Sequence, residues 1–437
     1  MNFRKSLYKK RDGQAKGTSV FMGTRFTGFP KKDWYGETNT IGGGSPLNYR
    51  GSFMLNKGLT NLLRAGKEDF EIEEGSLHIN NRSIEEINDF LNGEGNGDLT
   101  LINTGPFNSE IEDKAGGDRE SHLNYFELMM DQGMKVVNTP KIAKACGDKR
   151  ITYSLFEEQK ENSLPWYNLD HYLSGPGIAG LKNDFKRFKD KYNFEDGENG
   201  DVPVVAKPAN GSGGDEILFT TMDSFISGAE RKGSIRKLFA SEGYNPNGRV
   251  LQMSVPAVYD QRIIATDGVI ETAETRIGEG DLHNLQGGGR AIPVKRDELQ
   301  EGAVNMVQDY SKALLQGLGV HENAGSFIGW DALGFDLESE KLDGFPDYKR
   351  FLRENVAHED YAVEHEGQTV YLVPGEANDS PGSKIDGVNS AHPEQNSALA
   401  LMKFADDLSR GQVHDPYEAE QLAPVYRHIV NDHFRDM

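Results

Sequence analysis

One stretch restricts what this chain can fold into more than any other: Val202-Pro-Val-Val-Ala-Lys-Pro-Ala-Asn-Gly-Ser-Gly-Gly-Asp-Glu-Ile-Leu-Phe219. Val202 to Ala206 is β-branched and apolar, which predicts a buried strand. The strand runs into Lys207 and is stopped by Pro208, which has no N–H for a ladder. Asn210-Gly-Ser-Gly-Gly214 then supplies residues that tolerate positive φ and let backbone N–H groups approach an anion. From Glu216 to Thr220 the strand pattern resumes. A strand, a lysine, a glycine loop and a strand can hold a polyphosphate. It is not a P-loop, which needs Gly-Lys-Ser/Thr opening a helix, and it lacks the Rossmann spacing. A plain hairpin remains open on this stretch alone.

The chain has 437 residues, room for two or three domains. Its 48 Lys and Arg stand against 69 Asp and Glu, a net charge of −21. Nucleic acid and acidic membranes are therefore not expected partners, since both need an electropositive face. The acidity suggests either solubility or, with only 36% hydrophobic residues, adaptation to high salt. The single cysteine, Cys146, leaves no disulfide within the chain and no cysteine-built zinc site; it reads as a small buried side chain. The basic segment Met1 to Arg11 has no apolar run behind it, so it does not read as a signal peptide, and no stretch approaches a membrane span. A cytoplasmic location is expected.

Helices and strands alternate along the chain. Leu59–Leu63 and Ser83–Leu91 predict helices, and Leu99–Asn103 a strand. Leu123, Phe126, Met129 and Met130 give a helical apolar face ending at Gly133. Met134–Asn138 predicts a short strand, and Thr139-Pro140 an N-cap with proline at the first helical position. Asp148 is placed to cap the next helix, with Lys149 in its first turn. Leu181–Tyr192 predicts a charged surface helix and Asp223–Phe239 mixed helix. Asp267-Gly268 between Gln261–Thr266 and Val269–Ile277 is a strong hairpin signal. Glu301–Leu318 predicts an amphipathic helix closed by Gly319. Ser326–Leu333 and Thr369–Ala377 predict strands, and Ala398–Ser409 a helix. The charged segment 338–366 between the last two strands reads as a solvated insertion; its His358, Glu359 and His365 lack metal-site spacing.

A second clue lies in Val373-Pro-Gly-Glu376-Ala-Asn378-Asp-Ser-Pro-Gly382. On a strand, Glu376 and Asn378 share a face. With a further carboxylate, Asp331 or Asp336, they would form an all-oxygen magnesium site. An Asx-turn after a strand is the plainer alternative.

Taken in order, these motifs resemble the ATP-grasp superfamily, and within it RimK-type carboxylate–amine ligases. The resemblance rests on Asp148-Lys149, Val204-Val-Ala-Lys207-Pro, Asn210-Gly-Ser-Gly-Gly214, Leu251-Gln-Met253, Asp260-Gln-Arg262, Arg276, Asn284-Leu-Gln-Gly-Gly-Gly289, Gly329-Trp-Asp331 and Glu376-Ala-Asn378. It covers roughly residues 120–395. It implies an α/β (α+β) fold in which two α/β subdomains sandwich ATP, after an N-terminal α/β domain. The expected divisions are 1–140, 141–225 with the glycine loop, and 226–437 with the magnesium site and the insertion.

The resemblance also implies roles. Lys149 and Lys207 would contact the ATP phosphates, with Gly211, Ser212, Gly213 and Gly214 forming a loop over them. Gln252 and Met253 would lie beside adenine, Asp260 near them, and Asn284 near phosphate and metal. Arg262 and Arg276 would face an acyl phosphate as catalytic cations. Asp331, Glu376 and Asn378 would hold Mg2+ or Mn2+. The implied reaction joins a carboxylate to an amine at the expense of ATP, and a homo-oligomer fits relatives. Met253 stands where relatives usually carry an acid, and Leu282-His283 where they often carry Arg-Ser. A kinase of the same fold and an idle binding module are the alternatives.

Overall fold

The computed structural model describes residues 18–22, 99–103, 135–159, 163–195, 200–210, 216–278, 290–320 and 325–379, with scattered positions elsewhere, among them several from 400 to 417. Three sheets organise them. The first is parallel: β1 (Thr18–Met22) pairs with β2 (Leu99–Asn103), and β2 with β3 (Lys135–Val137). Two helices follow, α1 (Pro140–Cys146) and α2 (Lys149–Gln159). Pro140 opens α1 as expected. Thr139, however, makes no capping bond, and its buried hydroxyl has no partner among the described residues. Asp148 does cap α2, accepting from the Arg150 N–H at 2.9 Å. Cys146 is buried at the end of α1, and burial, together with Asp379 and Glu376, pushes its thiol pKa up.

The second sheet is built from β4 (Trp166–Asn168), β5 (Pro203–Pro208), β6 (Leu218–Thr221) and β7 (Arg249–Met253), in the order β4-β7-β5-β6 and antiparallel throughout. Helices α3 (Leu169–Ser174), α4 (Gly177–Lys191), α5 (Met222–Lys232) and α6 (Ile235–Ser241) belong to the same core. The chain between Asp223 and Phe239 is thus two helices. Gly233, at φ +83°, ends the first in the left-handed conformation, and the Ser234 hydroxyl caps the second. The division expected at 225/226 falls inside α5, and β7 lies beyond it in this same sheet.

The third sheet runs β10-β9-β8-β11-β13-β12, also antiparallel. Its strands are β8 (Ala257–Thr266), β9 (Val269–Ile277), β10 (Arg290–Val294), β11 (Phe327–Phe335), β12 (Ala362–His365) and β13 (Gln368–Asn378). Asp267 and Gly268 turn β8 into β9 with φ of +46° and +81°, as the Asp-Gly pair demands. Helix α7 (Glu301–Gly317) buries Met306, Val307, Tyr310 and Leu314 with residues of this sheet in one core, which Tyr153 and Phe156 of α2 join.

Segment 338–366 is not the solvated insertion its charges suggest. It forms α8 (Pro346–Asn355), flanked by short 3-10 turns, and the edge strand β12. Leu342, Tyr348, Phe351, Leu352 and Val356 join the second core, where Phe351 meets Phe188, Tyr192 and Phe194. Apart from buried Asp347, the charges of α8 lie toward its outer face, with Lys349 and Arg353 pairing Glu338, so a high charge count concealed a helical apolar stripe. Farther along, His414 lies between Glu271 of β9 (Nε2–Oε1 2.6 Å) and Asp407 (Nδ1–Oδ2 2.9 Å). No described helix is long and apolar enough to cross a membrane.

Candidate active site

The second and third sheets meet at a group of charged side chains. Lys149 begins α2, where its backbone N–H donates to the Ala209 carbonyl at 3.0 Å. Ala209 in turn donates to Gly248 at 2.7 Å. The helix start is thereby tied to the residue two beyond Lys207, and the two lysines come from one bonded unit. Lys149 is buried, and its ammonium lies 3.1 Å from the Glu376 carboxylate on β13. Removing one partner of a pair this enclosed leaves an uncompensated charge, a loss far larger than that of a surface pair.

Lys207 lies over the Tyr153 ring, 5.4 Å from its centroid. Burial and the Lys149 ammonium lower its pKa to about 8, although Glu376 and Asp331 oppose the shift. A solvated surface lysine would feel none of these. Tyr153 also spans to the third sheet: its hydroxyl donates to the Gly375 carbonyl at 2.8 Å. Its position one helical turn after Lys149 was the available sequence signal for it.

On the third sheet the register does the assembling. Asp331 faces Glu376 on one side and Arg262 on the other. A bulge at Asp331/Ala332 leaves Gly375 as the extra residue between Pro374 and Glu376. A Cβ on Gly375 would stand 3.0 Å from Leu333 and 3.2 Å from the Asp331 carbonyl, so the bulge suits a residue without one. Asp331 accepts from Arg262 through both oxygens, from Asn378 Nδ2 at 3.2 Å and from Arg276 at 3.5 Å. Burial raises the Asp331 pKa, but the two guanidinium groups outweigh it and hold the carboxyl below its usual range. Arg276 is itself gripped by Glu274, whose Oε1 accepts from Nε at 2.7 Å and from Nη2 at 2.5 Å. Glu274 was not foreseen. Its i, i+2 spacing to Arg276, which puts both on one strand face, was the signal that could have found it.

Asp260 is buried on β8 with its Oδ1 unbonded and 3.9 Å from Arg276. Burial and the Asp331 charge raise its pKa to about 7 against the pull of Arg276 and Arg262. Its charged neighbours are thus those of the arginine–carboxylate group. Gln252 and Met253 lie buried on β7. Met253 fills the second core, and its N–H donates to Pro165 at 3.0 Å, so neither that side chain nor that N–H is turned toward a ligand. An apolar interior explains a methionine here in place of an acid. Asp336, the competing ligand candidate, is engaged in a turn, accepting from the Glu338 N–H at 2.8 Å. Gly211, Ser212, Gly213, Gly214 and Asn284 lie outside the described residues.

Among the described residues no three His, Cys, Asp or Glu side chains gather as a metal cluster. The candidate set instead comprises two carboxylates and one amide. Asp331 and Glu376 face each other in register, and Asn378 donates to Asp331. All three offer oxygen, which suits Mg2+. The two carboxylates are held by Arg262 and Lys149, cations that a divalent ion would replace or share.

These features define a class by architecture: a mixed α/β protein in which two antiparallel sheets bring lysines, arginines and carboxylates to one place. No protein-family model matches the chain, and no curated protein matches it. Among solved structures it is similar to D-alanine–D-alanine ligase from Bacillus anthracis complexed with ATP, at 14% identity over 90% of this chain and 97% of that one, with a TM-score of 0.43. It is similar to D-cycloserine synthetase DcsG at 13% identity over 90% and 98%, TM-score 0.45. It is also similar to the ATP-grasp ligase PsnB complexed with minimal precursor, at 13% identity over 70% and 79%, TM-score 0.36.

Proposed function

We propose that the chain is an ATP-dependent carboxylate–amine ligase of the ATP-grasp type, RimK-like in the order of its motifs. One observation carries the reading: Lys149, Lys207, Asp331 and Glu376, from four separate elements, gather where the two antiparallel sheets meet. Two cations facing two carboxylates match the needs of phosphoryl transfer, which are positioning and neutralisation.

In the first step an oxygen of the substrate carboxylate bonds to the γ-phosphorus of ATP while the bond to the ADP oxygen breaks. An acyl phosphate results. Lys149 and Lys207 hold the phosphate oxygens. Mg2+ or Mn2+ on Asp331, Glu376 and Asn378 would supply further charge neutralisation. In the second step the amine nitrogen attacks the acyl carbon, phosphate departs with its bonding electrons, and the nitrogen gives its proton to solvent. The oxyanion formed on the way needs fixed cations, and Arg262 and Arg276 are fixed by Asp331 and Glu274. The amide product would join an amino acid to a peptide, protein or small amine. The protein would work in the cytoplasm, and as a homo-oligomer.

The test is a thermal shift with Mg·ATP, Mg·ADP and Mg·GTP at low and molar KCl, followed by phosphate release with pooled amino acids. Stabilisation by Mg·ATP is expected, with phosphate released only when an acid is supplied. Glu376→Gln should reduce turnover by at least about a hundredfold while the far-UV spectrum stays native. Near-normal turnover in that variant removes the metal assignment. The same melts address the salt reading: a midpoint that falls as KCl rises excludes it.

A further inference from the structure

The strand that carries Lys207 is locked from behind by a buried arginine that no motif singled out. Arg249 is 1% exposed at the start of β7, opposite Pro208 of β5 in register. Its guanidinium lies 4.6 Å from the Phe239 ring centroid and 5.3 Å from that of Tyr244. All three of its nitrogens donate: Nε to the Asn245 carbonyl, Nη1 to the Glu216 carbonyl at 2.8 Å, and Nη2 to the Glu216 carboxylate. The same carboxylate accepts from the Asn245 N–H at 3.3 Å. Glu216 is held at φ +55°, a conformation that a non-glycine residue adopts only when its surroundings impose it.

The place of this clamp matters more than its strength. Gly248, the residue before Arg249, accepts from Ala209, which accepts from Lys149. The Gly248 N–H donates to Asp170 at 2.8 Å, and the other Asp170 oxygen accepts from Arg150 beside Lys149 at 2.7 Å. One turn of chain, 245–249, therefore fixes the end of the Lys207 strand, the start of the Lys149 helix and Glu216, where the chain returns to the sheet. A buried guanidinium must find partners for its donors, and here all three nitrogens find them on Glu216 and on the turn that leads into β7, so the bonds tie those two segments together.

We propose that Arg249, through its pairing with Glu216, is a positioning residue for nucleotide phosphate: it sets the relative placement of Lys149 and Lys207. This rests on the nucleotide reading above. The consequence is a dependence on the number of phosphates. A nucleotide held mainly by its base and ribose feels the clamp little, and one held by its β- and γ-phosphates feels it fully.

Titration calorimetry of the full chain with Mg·ATP and with AMP tests this in wild type, Arg249→Lys and Glu216→Gln. Lysine keeps the charge but loses the fork. Glu216→Gln alters a carboxylate 38% exposed and spares the Arg249 bonds to backbone, so it carries the test if the arginine variant does not fold. The expected result is an approximately tenfold weaker Mg·ATP affinity with AMP affinity unchanged. Equal losses for ATP and AMP, or no loss for either, overturn the positioning role. Failure of wild type to bind Mg·ATP overturns the nucleotide reading and this inference with it, an outcome distinct from wild-type binding that Glu216→Gln leaves intact.

Discussion

Lys207 shows how far a residue's chemistry depends on its place. An ordinary lysine stays charged until about pH 10.4. Here burial and Lys149 bring the pKa down to about 8. If Lys207 binds phosphate as a cation, the free protein must be protonated there before it binds. Mg·ATP affinity should therefore hold steady below pH 8 and decline as pH rises from 8 to 10, as an unshifted lysine would not cause. Calorimetry across that range checks it, and Lys207→Met should bind more weakly at every pH with that decline removed. The sequence showed which lysine to choose, because it ends a strand before a glycine loop. It could not show the shift, because Lys149, which lowers the pKa, lies 58 residues before it, and Asp331 and Glu376, which oppose the shift, lie more than a hundred beyond it, all on other elements. Glu274 is the opposite case: it was legible as the partner two before Arg276 on one strand face and was passed over.

At the scale of elements, local chemistry wrote most of the boundaries. The Asp267-Gly268 hairpin, the proline-opened α1, the Asp148 cap on α2 and the α7 terminus before Gly319 (φ +62°) all appear where turn and cap residues place them. What propensity could not foretell was contact between elements. Gly302 in the first turn of α7 is such a place. A Cβ there would stand 2.3 Å from the Ala362 carbonyl, so helix and strand approach to a distance that only glycine allows. Gly302→Ala would ordinarily gain helix propensity, roughly 1 kcal/mol. The overlap with backbone oxygen outweighs that gain, and a net loss of ~1–3 kcal/mol is expected, read as a lower denaturant midpoint. A rise in the midpoint would mean that α7 and β12 separate freely. Segment 338–366 gives the same lesson: a segment dense in charged residues can still carry a helix packed into the core, because only one face of α8 has to be apolar.

Across the whole molecule, distant segments are joined by a few buried polar links. One of them is His414 between Asp407 and Glu271, the latter 143 residues away in sequence. Burial alone would lower the His414 pKa, but hydrogen bonds to Asp407 and Glu271 outweigh it and push it up to about 9. A group whose folded pKa is raised gives its stability in full below the unfolded value, about 6.5, and loses it as pH climbs through 9. Thermal midpoints should fall by several degrees between pH 7 and 10, and His414→Gln should remove much of that slope. An unchanged slope in the variant would place the alkaline loss elsewhere.

By itself the sequence determined the Asp267-Gly268 hairpin, the proline start of α1, the Asp148 cap of α2 and the extent of α7, and it named Lys149, Lys207, Arg262, Arg276, Asp331, Glu376 and Asn378 as the residues to watch. These depend on periodicity and on turn and cap residues, interactions that span a few positions. Only the tertiary structure decided that Asp331 faces Glu376 and Arg262, that Asp260 keeps company with Arg276, that Met253 fills a core, and that Arg249 locks Glu216. Each of those follows from strand register and burial, and register between strands a hundred residues apart is set by the packing of whole sheets, which no local pattern contains.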